Sequence, residues 1–478
     1  MSFTTVIFLF FFFPFFCGVY FLLRRFPKKN TLLSDYFVLS MSFLFYVLNL
    51  YAVGAGWKTG VALGVVCVMT ALVGKILARL KNKTKSKLLF FVAVAFLPLF
   101  IFKYLNFILA TINTVFHSSL SAGTLIAPLG ISFITFSVVS YLVDVYRGED
   151  PGSFRSVGLY LLFFPKILSG PIITWKEFHA KWTTRQESID LAEQGVRRII
   201  VGMAKKVIIA DSLGATIALI NSNIPQGVDS QTILLLGFCM MFQIYLDFSG
   251  YSDFALGISN LLGVQWKENF SYPYLSTSVT EFWRRWHISL GSWFREYLYI
   301  PLGGSRKGNV YFHLFVVFFA TGIWHGAHWN MVAWGILNGL AVIVERKWKK
   351  QREKLPRFFA WLMTMIFVYF SWMLFMAPSF GNAMEYFRLL FHSPYSAENI
   401  NFQWSFFLTG RTMFFLIIAM IGSFMPMQWR EQICRRWKRA DGSALRYWTE
   451  AIVLLALFVV SVLFMINASY RPFLYFQF

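Results

Sequence analysis

The stretch T-E-F-W-R-R-W-H-I-S-L-G-S-W-F-R-E-Y-L-Y-I-P-L-G-G (Thr280–Gly304) concentrates arginines, aromatic side chains and one histidine, His287, within a strongly apolar chain. Polar and charged groups are costly inside a bilayer, and they usually mark a path for substrate. A second histidine, His325, follows in I-W-H-G-A-H-W-N, within the next apolar run. These two histidines are therefore the first candidates for a reaction centre.

The composition around this stretch is that of a membrane protein. Of 478 residues, 57% are hydrophobic and only 14% are charged. Apolar runs long enough to cross a bilayer recur along the chain, and they predict an all-α polytopic protein of about eleven spanning helices. We expect one integral-membrane domain over residues 1–478, with N-terminal helices in 1–120, a site-bearing core in 125–345 and C-terminal helices in 357–478.

The net charge of +22 lies largely in short basic runs between apolar segments. This pattern is typical of cytoplasmic loops, and no nucleic-acid-binding motif accompanies it. The runs Arg24–Lys29 and Lys81–Lys87 both place the N-terminus outside. Phe3–Leu23 lacks a basic n-region and a cleavage site, so it is expected to be a retained span. The four cysteines show neither metal-ligand spacing nor a disulfide framework.

Two segments depart from simple spanning helices. Leu162–Ile172 is apolar but contains Pro165, Gly170 and Pro171, which predicts a re-entrant segment lining an enclosed cavity. Ile189–Ile220 mixes basic residues with apolar ones, and it predicts an amphipathic helix at the cytoplasmic interface.

His325 is the sharpest catalytic candidate. It lies between Trp324 and Gly326, with Asn330 five residues on. Histidine exchanges protons easily near neutral pH, and burial keeps it able to accept one. The alternative is a hydrogen-bonded core histidine that ties two helices together. His328 has the spacing to share a helix face with His325, but no third ligand lies nearby as zinc requires, so no metal site is predicted.

His287 is either a second polar group at the same centre or an interfacial histidine among aromatic residues. Glu281 and Arg284 are its candidate partners. Asp247 and Asp253, in D-F-S-G-Y-S-D, are candidates for ion ligands or for structural hydrogen-bond acceptors.

A basic face accompanies His287. It comprises Arg284, Arg285, Arg295, Arg306 and Lys307. Such a face suits the phosphates of a nucleotide-bearing donor or the acidic surface of a carrier protein. It equally suits anionic lipid headgroups.

At these residues the chain resembles the membrane-bound O-acyltransferase family, in its bacterial alginate-O-acetylase branch. The matching motifs are P-L-G-I-S-F (Pro128–Phe133), D-V-Y-R-G (Asp144–Gly148), F-F-P-K-I-L-S-G-P (Phe163–Pro171), D-F-S-G-Y-S-D (Asp247–Asp253), E-F-W-R-R-W-H-I-S-L (Glu281–Leu290), Y-L-Y-I-P-L-G-G-S-R-K-G (Tyr297–Gly308), W-H-G-A (Trp324–Ala327) and P-F-L-Y-F-Q-F (Pro472–Phe478). The E-F-W-R-R-W-H and W-H-G motifs are also similar to those of the D-alanyl transferases of teichoic-acid synthesis. One departure is His328, where the acetylases more often carry Asn.

The resemblance implies a ring of helices around a thin partition, where a cytoplasmic and an extracellular funnel meet at a reactive histidine. It implies that His325 is the catalytic residue and His287 the second functional histidine. The residues expected to contact donor or substrate are Arg284, Arg285, Trp286, Arg295, Trp324 and Asn330.

The implied activity is transfer of an acyl group, most simply acetyl, from a cytoplasmic thioester to an exopolysaccharide or cell-wall polymer outside. The donor is acetyl-CoA or an acylated carrier protein, and no other cofactor is expected. The implied location is the bacterial cytoplasmic (inner) membrane, with an extracytoplasmic acetyltransferase as partner. One alternative is D-alanyl transfer to teichoic acid from an acyl carrier protein. Another is a lipid or sugar transporter, which the absence of repeated halves disfavours.

Overall fold

The computed structural model describes residues 3–25, 30–52, 57–80, 84–123, 125, 127–392, 402–425 and 444–467. Apart from one isolated bridge between Val228 and Phe402, no β structure occurs in these ranges. The α-helices, numbered in chain order, are α1 Phe13–Arg25, α2 Asn30–Ala52, α3 Trp57–Arg79, α4 Lys85–Leu99, α5 Leu105–Phe116, α6 Ile131–Tyr146, α7 Phe154–Leu162, α8 Phe164–Ile167, α9 Trp175–Thr183, α10 Ile189–Met203, α11 Asp211–Asn223, α12 Ser230–Leu261, α13 Val279–Arg285, α14 Ile288–Phe294, α15 Val310–His325, α16 Trp329–Lys347, α17 Lys349–Arg352, α18 Arg357–Met376, α19 Phe380–Phe391, α20 Trp404–Phe407, α21 Gly410–Phe424 and α22 Ala444–Asn467.

Shorter helical turns extend or join these helices. The π-helical turns are Phe8–Phe12, Phe100–Tyr104, Ala204–Ala210 and Arg295–Tyr299, and the 3₁₀ turns are Ile224–Gln226 and Pro273–Leu275.

Many of these helices are apolar enough for a bilayer. Within the described ranges, 7 helices are long and apolar enough to cross a membrane: Leu32–Tyr51, Thr59–Arg79, Lys85–Phe116, Ile189–Gln226, Ser230–Leu261, Arg357–Met376 and Tyr447–Asn467. Shorter apolar helices lie at Phe8–Arg24, Ile131–Tyr146, Val310–His325 and Gly410–Phe424. The prediction of an all-α polytopic membrane protein is therefore confirmed.

The segment predicted as an interfacial helix is helical, as expected, and it is also long and apolar enough to span a bilayer, so its location at the interface stays a prediction. Helices α10 and α11 join through a π-helical turn into Ile189–Gln226, which is among the candidate spans. Lys206, within this segment, is buried, and its Nζ lies 2.6 Å from an oxygen of Asp247 and 2.8 Å from one of Asp211. A charge can be buried when it is paired in this way, and the pairing is not visible in the local sequence pattern.

The chain divides into two compact units, and the first holds residues up to Val196 together with Phe254–Trp266. Stacked and edge-on phenylalanine rings, including Phe8, Phe12 and Phe164, form part of its core. Buried or half-buried ion pairs tie distant segments together, with Arg185 2.7 Å from Asp35 and Arg24 2.7 Å from Glu187.

The predicted irregular segment Leu162–Ile172 lies in this first unit. Only the short helix α8 interrupts its irregular backbone, and its side chains are buried. Lys166 Nζ donates to Ser137 Oγ at 2.9 Å and lies 3.8 Å from the centroid of the Tyr160 ring. The backbone is broken as the proline and glycine pattern indicated, and its re-entrance stays a prediction.

The second unit comprises Arg197–Asp253 and, of the described residues, those from Lys267 onward. Helices α15 and α16 of this unit pack tightly, because glycines face each other where they cross. A Cβ on Gly322 would lie 2.5 Å from the carbonyl oxygen of Met331, and one on Gly335 would lie 2.7 Å from that of Phe318. Small residues permit this backbone approach, and it places His325, at the end of α15, against the start of α16.

Candidate active site

Helix α13 carries Thr280–Arg285, which are the first six residues of the T-E-F-W-R-R-W-H stretch, and two side chains bind the backbone N–H groups of its first turn. Ser278 caps the helix by accepting a hydrogen bond from the Glu281 backbone N–H at 2.9 Å. The Glu345 carboxylate accepts from the backbone N–H groups of Val279, at 2.6 Å, and Thr280, at 2.9 Å. The N-terminus of a helix favours negative charge, so Glu345 anchors this segment to α16.

His287 occupies a sharp turn between α13 and α14. Its φ of 45° lies in the left-handed region, which is costly for a residue with a bulky side chain. Asn269 fixes the turn: its carbonyl oxygen accepts from the Ile288 N–H at 2.9 Å, and its side-chain Oδ1 accepts from the Ser289 N–H at 3.2 Å. Surrounding structure that over-determines such a conformation is common at functional sites.

The His287 ring is buried, with 2% of the residue exposed. Its Nδ1 lies 3.2 Å from Asn269 Oδ1, and its ring meets that of Phe248 edge-on at a centroid distance of 4.6 Å. Burial lowers the pKa of His287 from 6.5 to about 3, so the ring is neutral at physiological pH. A neutral imidazole retains one nitrogen able to accept a proton.

His325 is the last residue of α15, and it is also buried. The rings of Trp324, Trp334 and Phe375 pack around it, with centroids 5.0 Å, 5.3 Å and 5.1 Å from that of the imidazole. These rings restrict the orientation of the imidazole and keep it in an apolar environment.

The prediction that His325 and His328 share a helix face is wrong. Helix α15 ends at His325, Gly326 is extended with φ of −166°, and His328 is the exposed N-cap of α16. Glycine destabilises a continuing helix, and this break separates the two rings.

One cavity, of about 610 Å³, is lined by both His287 and His325. Arg284, Trp286 and Arg295 also line it. The two arginines are exposed to solvent, and within the described part of the chain neither forms an ion pair. The other lining residues are Thr280, Trp283, Ile288, Leu290, Gly291, Ser292, Phe294, Leu314, Val317, Phe318, Thr321 and Val342.

Three further residues of the predicted site do not line this cavity. Arg285 lies 2.7 Å from Glu281, which it pairs along α13. Trp324 lies near both histidine rings, with centroid distances of 6.5 Å to His287 and 5.0 Å to His325. Asn330 donates to the carbonyl oxygen of Ala377 at 2.9 Å, where it holds the start of α16 against the end of α18.

The expectation that Glu281 partners His287 is wrong, because Glu281 pairs with other residues. Glu281 accepts from the backbone and hydroxyl of Thr277 as well as from Arg285. Asp253 pairs with Arg198 at 3.0 Å and with Lys205 at 2.7 Å. Together with the Asp247–Lys206 pair, these contacts match the alternative of structural acceptors for the two aspartates.

Asn269 and Glu345 were not among the residues predicted from sequence. Each contacts the Thr280–Gly304 stretch from a distant part of the chain, so spacing along a helix gives no signal for either. Asn269 lies in an irregular segment after α12, and Glu345 belongs to the last turns of α16.

The chain is similar to known proteins over a region that includes both histidines. The model of the membrane-bound O-acyltransferase family matches residues 59–384. The chain is 33% identical to a probable alginate O-acetylase of Pseudomonas putida, and the alignment covers 100% of both chains. It is 33% identical to a peptidoglycan O-acetyltransferase of Helicobacter pylori, over 59% of this chain and 60% of the relative. It is 30% identical to a teichoic acid D-alanyltransferase of Streptococcus thermophilus, over 48% of this chain and 59% of the relative.

Proposed function

Because the chain belongs to the membrane-bound O-acyltransferase family and is an O-acyltransferase, we propose that the cavity lined by His287 and His325 is its reaction centre. The observation that carries this proposal is that two buried histidines, 38 positions apart by their residue numbers, line one cavity that also has two exposed arginines. Burial keeps the His287 imidazole neutral and able to accept a proton, while the two exposed arginines suit an anionic donor.

The reaction is transfer of an acyl group from a thioester to a hydroxyl. His325 accepts the proton of the hydroxyl as its oxygen attacks the thioester carbonyl carbon. The tetrahedral intermediate then collapses, the carbon–sulfur bond breaks, and the thiolate takes up the proton. General base catalysis of this kind typically contributes about 10²–10⁴-fold to the rate.

The donor is a cytoplasmic thioester, either acetyl-CoA or an acylated carrier protein. Arg284 and Arg295 are the side chains that contact its phosphates, because both line the cavity and are exposed. Basic runs such as Arg346–Lys354 support a cytoplasmic location for this side of the protein. By the same rule the N-terminus lies outside. The membrane is the bacterial cytoplasmic (inner) membrane.

The acceptor is a hydroxyl of an exopolysaccharide or cell-wall polymer outside the membrane, reached directly or through an extracytoplasmic acetyltransferase partner. The relatives support this class of acceptor, since they are named for alginate and peptidoglycan O-acetylation. Acetyl is the favoured group, because the alignment with the alginate O-acetylase covers both chains fully and that with the D-alanyltransferase does not.

The proposal is tested with purified protein and radiolabelled acetyl-CoA, or an acetylated carrier protein, by following thioester consumption. His325→Ala should lower the rate by about 10²-fold or more, with the variant still monodisperse in detergent. His328→Ala is the matched control, because His328 is exposed and does not line the cavity. Wild-type turnover by His325→Ala would refute the assignment, and transport of a sugar or lipid without bond cleavage would favour a transporter.

Arg284→Ala and Arg295→Ala test donor binding separately. Each should raise KM for the donor with little change in kcat. Arg306→Ala, which removes a basic residue outside the cavity lining, should leave KM unchanged. An equal rise for all three would show that general surface charge matters instead of contact at the cavity.

A further inference from the structure

The amide of Asn269 has one orientation that satisfies its neighbours. Its Oδ1 receives the backbone N–H of Ser289, at 3.2 Å, and the Ser289 hydroxyl, at 2.8 Å. A backbone N–H is always a donor, so the atom facing it must be the amide oxygen. The amide nitrogen then faces Ser252 Oγ, at 3.1 Å, which accepts its proton.

This orientation fixes the proton of His287. The nitrogen Nδ1 lies 3.2 Å from Asn269 Oδ1, and an amide oxygen only accepts hydrogen bonds. The neutral ring therefore carries its proton on Nδ1. Its other nitrogen, Nε2, holds the lone pair in a ring that lines the cavity.

We propose that Asn269 is the positioning residue that sets the tautomer of His287, so that His287 presents a proton-accepting Nε2 to the substrate. This inference rests on the proposed function, and it refines the part played by His287. A neutral ring in this tautomer accepts a proton or hydrogen bond at Nε2, and it does not donate one to an oxyanion there.

The same residue also fixes the position of the ring. The Asn269 carbonyl oxygen accepts from the Ile288 N–H at 2.9 Å, and the Ser271 N–H donates to the Arg285 carbonyl at 2.9 Å. These bonds join residues 269–271 to the left-handed turn at His287. One side chain and its own backbone thus control the orientation and the protonation of a single imidazole, as a carboxylate does in other histidine-dependent enzymes.

Asn269 Oδ1 is nearer to His287 Nδ1 than the Ser289 hydroxyl is, which lies 3.4 Å away. That hydroxyl donates its own proton to Asn269 Oδ1, so toward Nδ1 it acts as a second acceptor and favours the same tautomer. The ring packs edge-on against Phe248 of α12, and the ring of Trp324 of α15 also lies near it. The titratable or charged groups that share its cavity are Arg284, Arg295 and His325. Burial lowers the pKa of His287, so the ring stays in its neutral form.

Two variants and one control test the proposal. Asn269→Leu has a similar shape but provides no acceptor for Nδ1, and it should lower kcat by about 10²-fold or more with KM for the donor little changed. Asn269→Asp keeps an acceptor at the same position and should restore most of the activity near neutral pH. Because its charge favours imidazolium, it should move the acidic limb of the kcat profile to higher pH by about one unit or more. Ser252→Ala, which alters only the nitrogen side of the amide, should behave like the wild type.

The tautomer itself is read from ¹⁵N spectra of histidine-labelled protein, with His287→Ala assigning the signals. We expect a protonated Nδ1 and an unprotonated Nε2 in the wild type and a mixture in Asn269→Leu. A wild-type ring protonated at Nε2, or unchanged activity in Asn269→Leu, would overturn the proposal. If Asn269→Leu does not fold, an unshifted pH profile in Asn269→Asp would overturn it instead. Failure of the reaction-centre proposal appears separately, as full activity in His287→Ala and His325→Ala.

Discussion

The carboxylate of Glu345 accepts hydrogen bonds from the first two backbone N–H groups of α13, at 2.6 Å from Val279 and 2.9 Å from Thr280. Helix α13 leads into the turn at His287, and Glu345 lies on α16, whose partner helix ends at His325. The contact therefore connects the two segments that carry the histidines. It is a charge-assisted interaction at a helix N-terminus, where a carboxylate is favoured.

Replacing Glu345 with Ala should lower both stability and activity. Hydrogen bonds to a charged group contribute about 1.5–3 kcal/mol each, less where solvent reaches them. We expect a lower Tm in detergent and a fall in kcat, because the turn at His287 loses its upstream anchor. Glu345→Gln keeps an acceptor oxygen, so its Tm and kcat should lie between those of the wild type and those of Glu345→Ala. Equal Tm values for all three proteins would contradict this role.

Lys206 should be required for folding. It is buried between Asp247 and Asp211, so Lys206→Met leaves two carboxylates without their cation. Breaking a buried ion pair costs about 3–5 kcal/mol, and the variant should be lost from the membrane fraction. Lys205→Met is the control, since Asp253 keeps Arg198 as a partner. Addition of Asp247→Asn should partly rescue Lys206→Met, and a double variant no better than the single one would argue against the pairing.

The crossing of α15 and α16 should tolerate no side chain at Gly335. A Cβ there would lie 2.7 Å from the Phe318 carbonyl oxygen, so Gly335→Ala must push the helices apart. Overpacking of this kind costs about 1–3 kcal/mol. Gly64→Ala, where no atom lies within 4 Å of the new Cβ, should leave Tm unchanged or slightly raised. A Tm for Gly335→Ala equal to that of Gly64→Ala would show that the helices do not pack this closely.

His287 should make the folded protein sensitive to acid. Burial lowers its pKa from 6.5 to about 3. Between these values the unfolded chain binds a proton that the folded chain does not, so stability falls as the pH drops below about 6.5, and this loss levels off near pH 3. The Tm of the wild type should decrease more steeply over this range than that of His287→Gln. Parallel curves would show that His287 titrates normally in the folded state.

The helical class was predictable, and the two histidines could be chosen as candidates, because both leave local signals in the sequence. Apolar run length indicates spans, and a histidine inside such a run stands out against its neighbours. The helix breaks at Gly326 and in Leu162–Ile172 follow from glycine and proline. The separation of His328 from His325 by the break at Gly326 was not predicted.

The contacts that organise the site were not predictable from one sequence. Asn269 meets His287 across 18 positions, and Glu345 meets Thr280 across 65. Such pairs depend on how distant helices pack, and no periodic pattern records them. The burial of Lys206 is a similar case, because its partner Asp247 is 41 positions away.

The central claim is that acyl transfer occurs at the cavity shared by His287 and His325. Mass spectrometry of cell-surface polymer from cells that express wild-type, His325→Ala or His328→Ala protein at equal levels tests it most directly. The account predicts O-acylated polymer with the wild type and His328→Ala, and loss of that modification with His325→Ala. Wild-type acylation of the polymer by His325→Ala would contradict it.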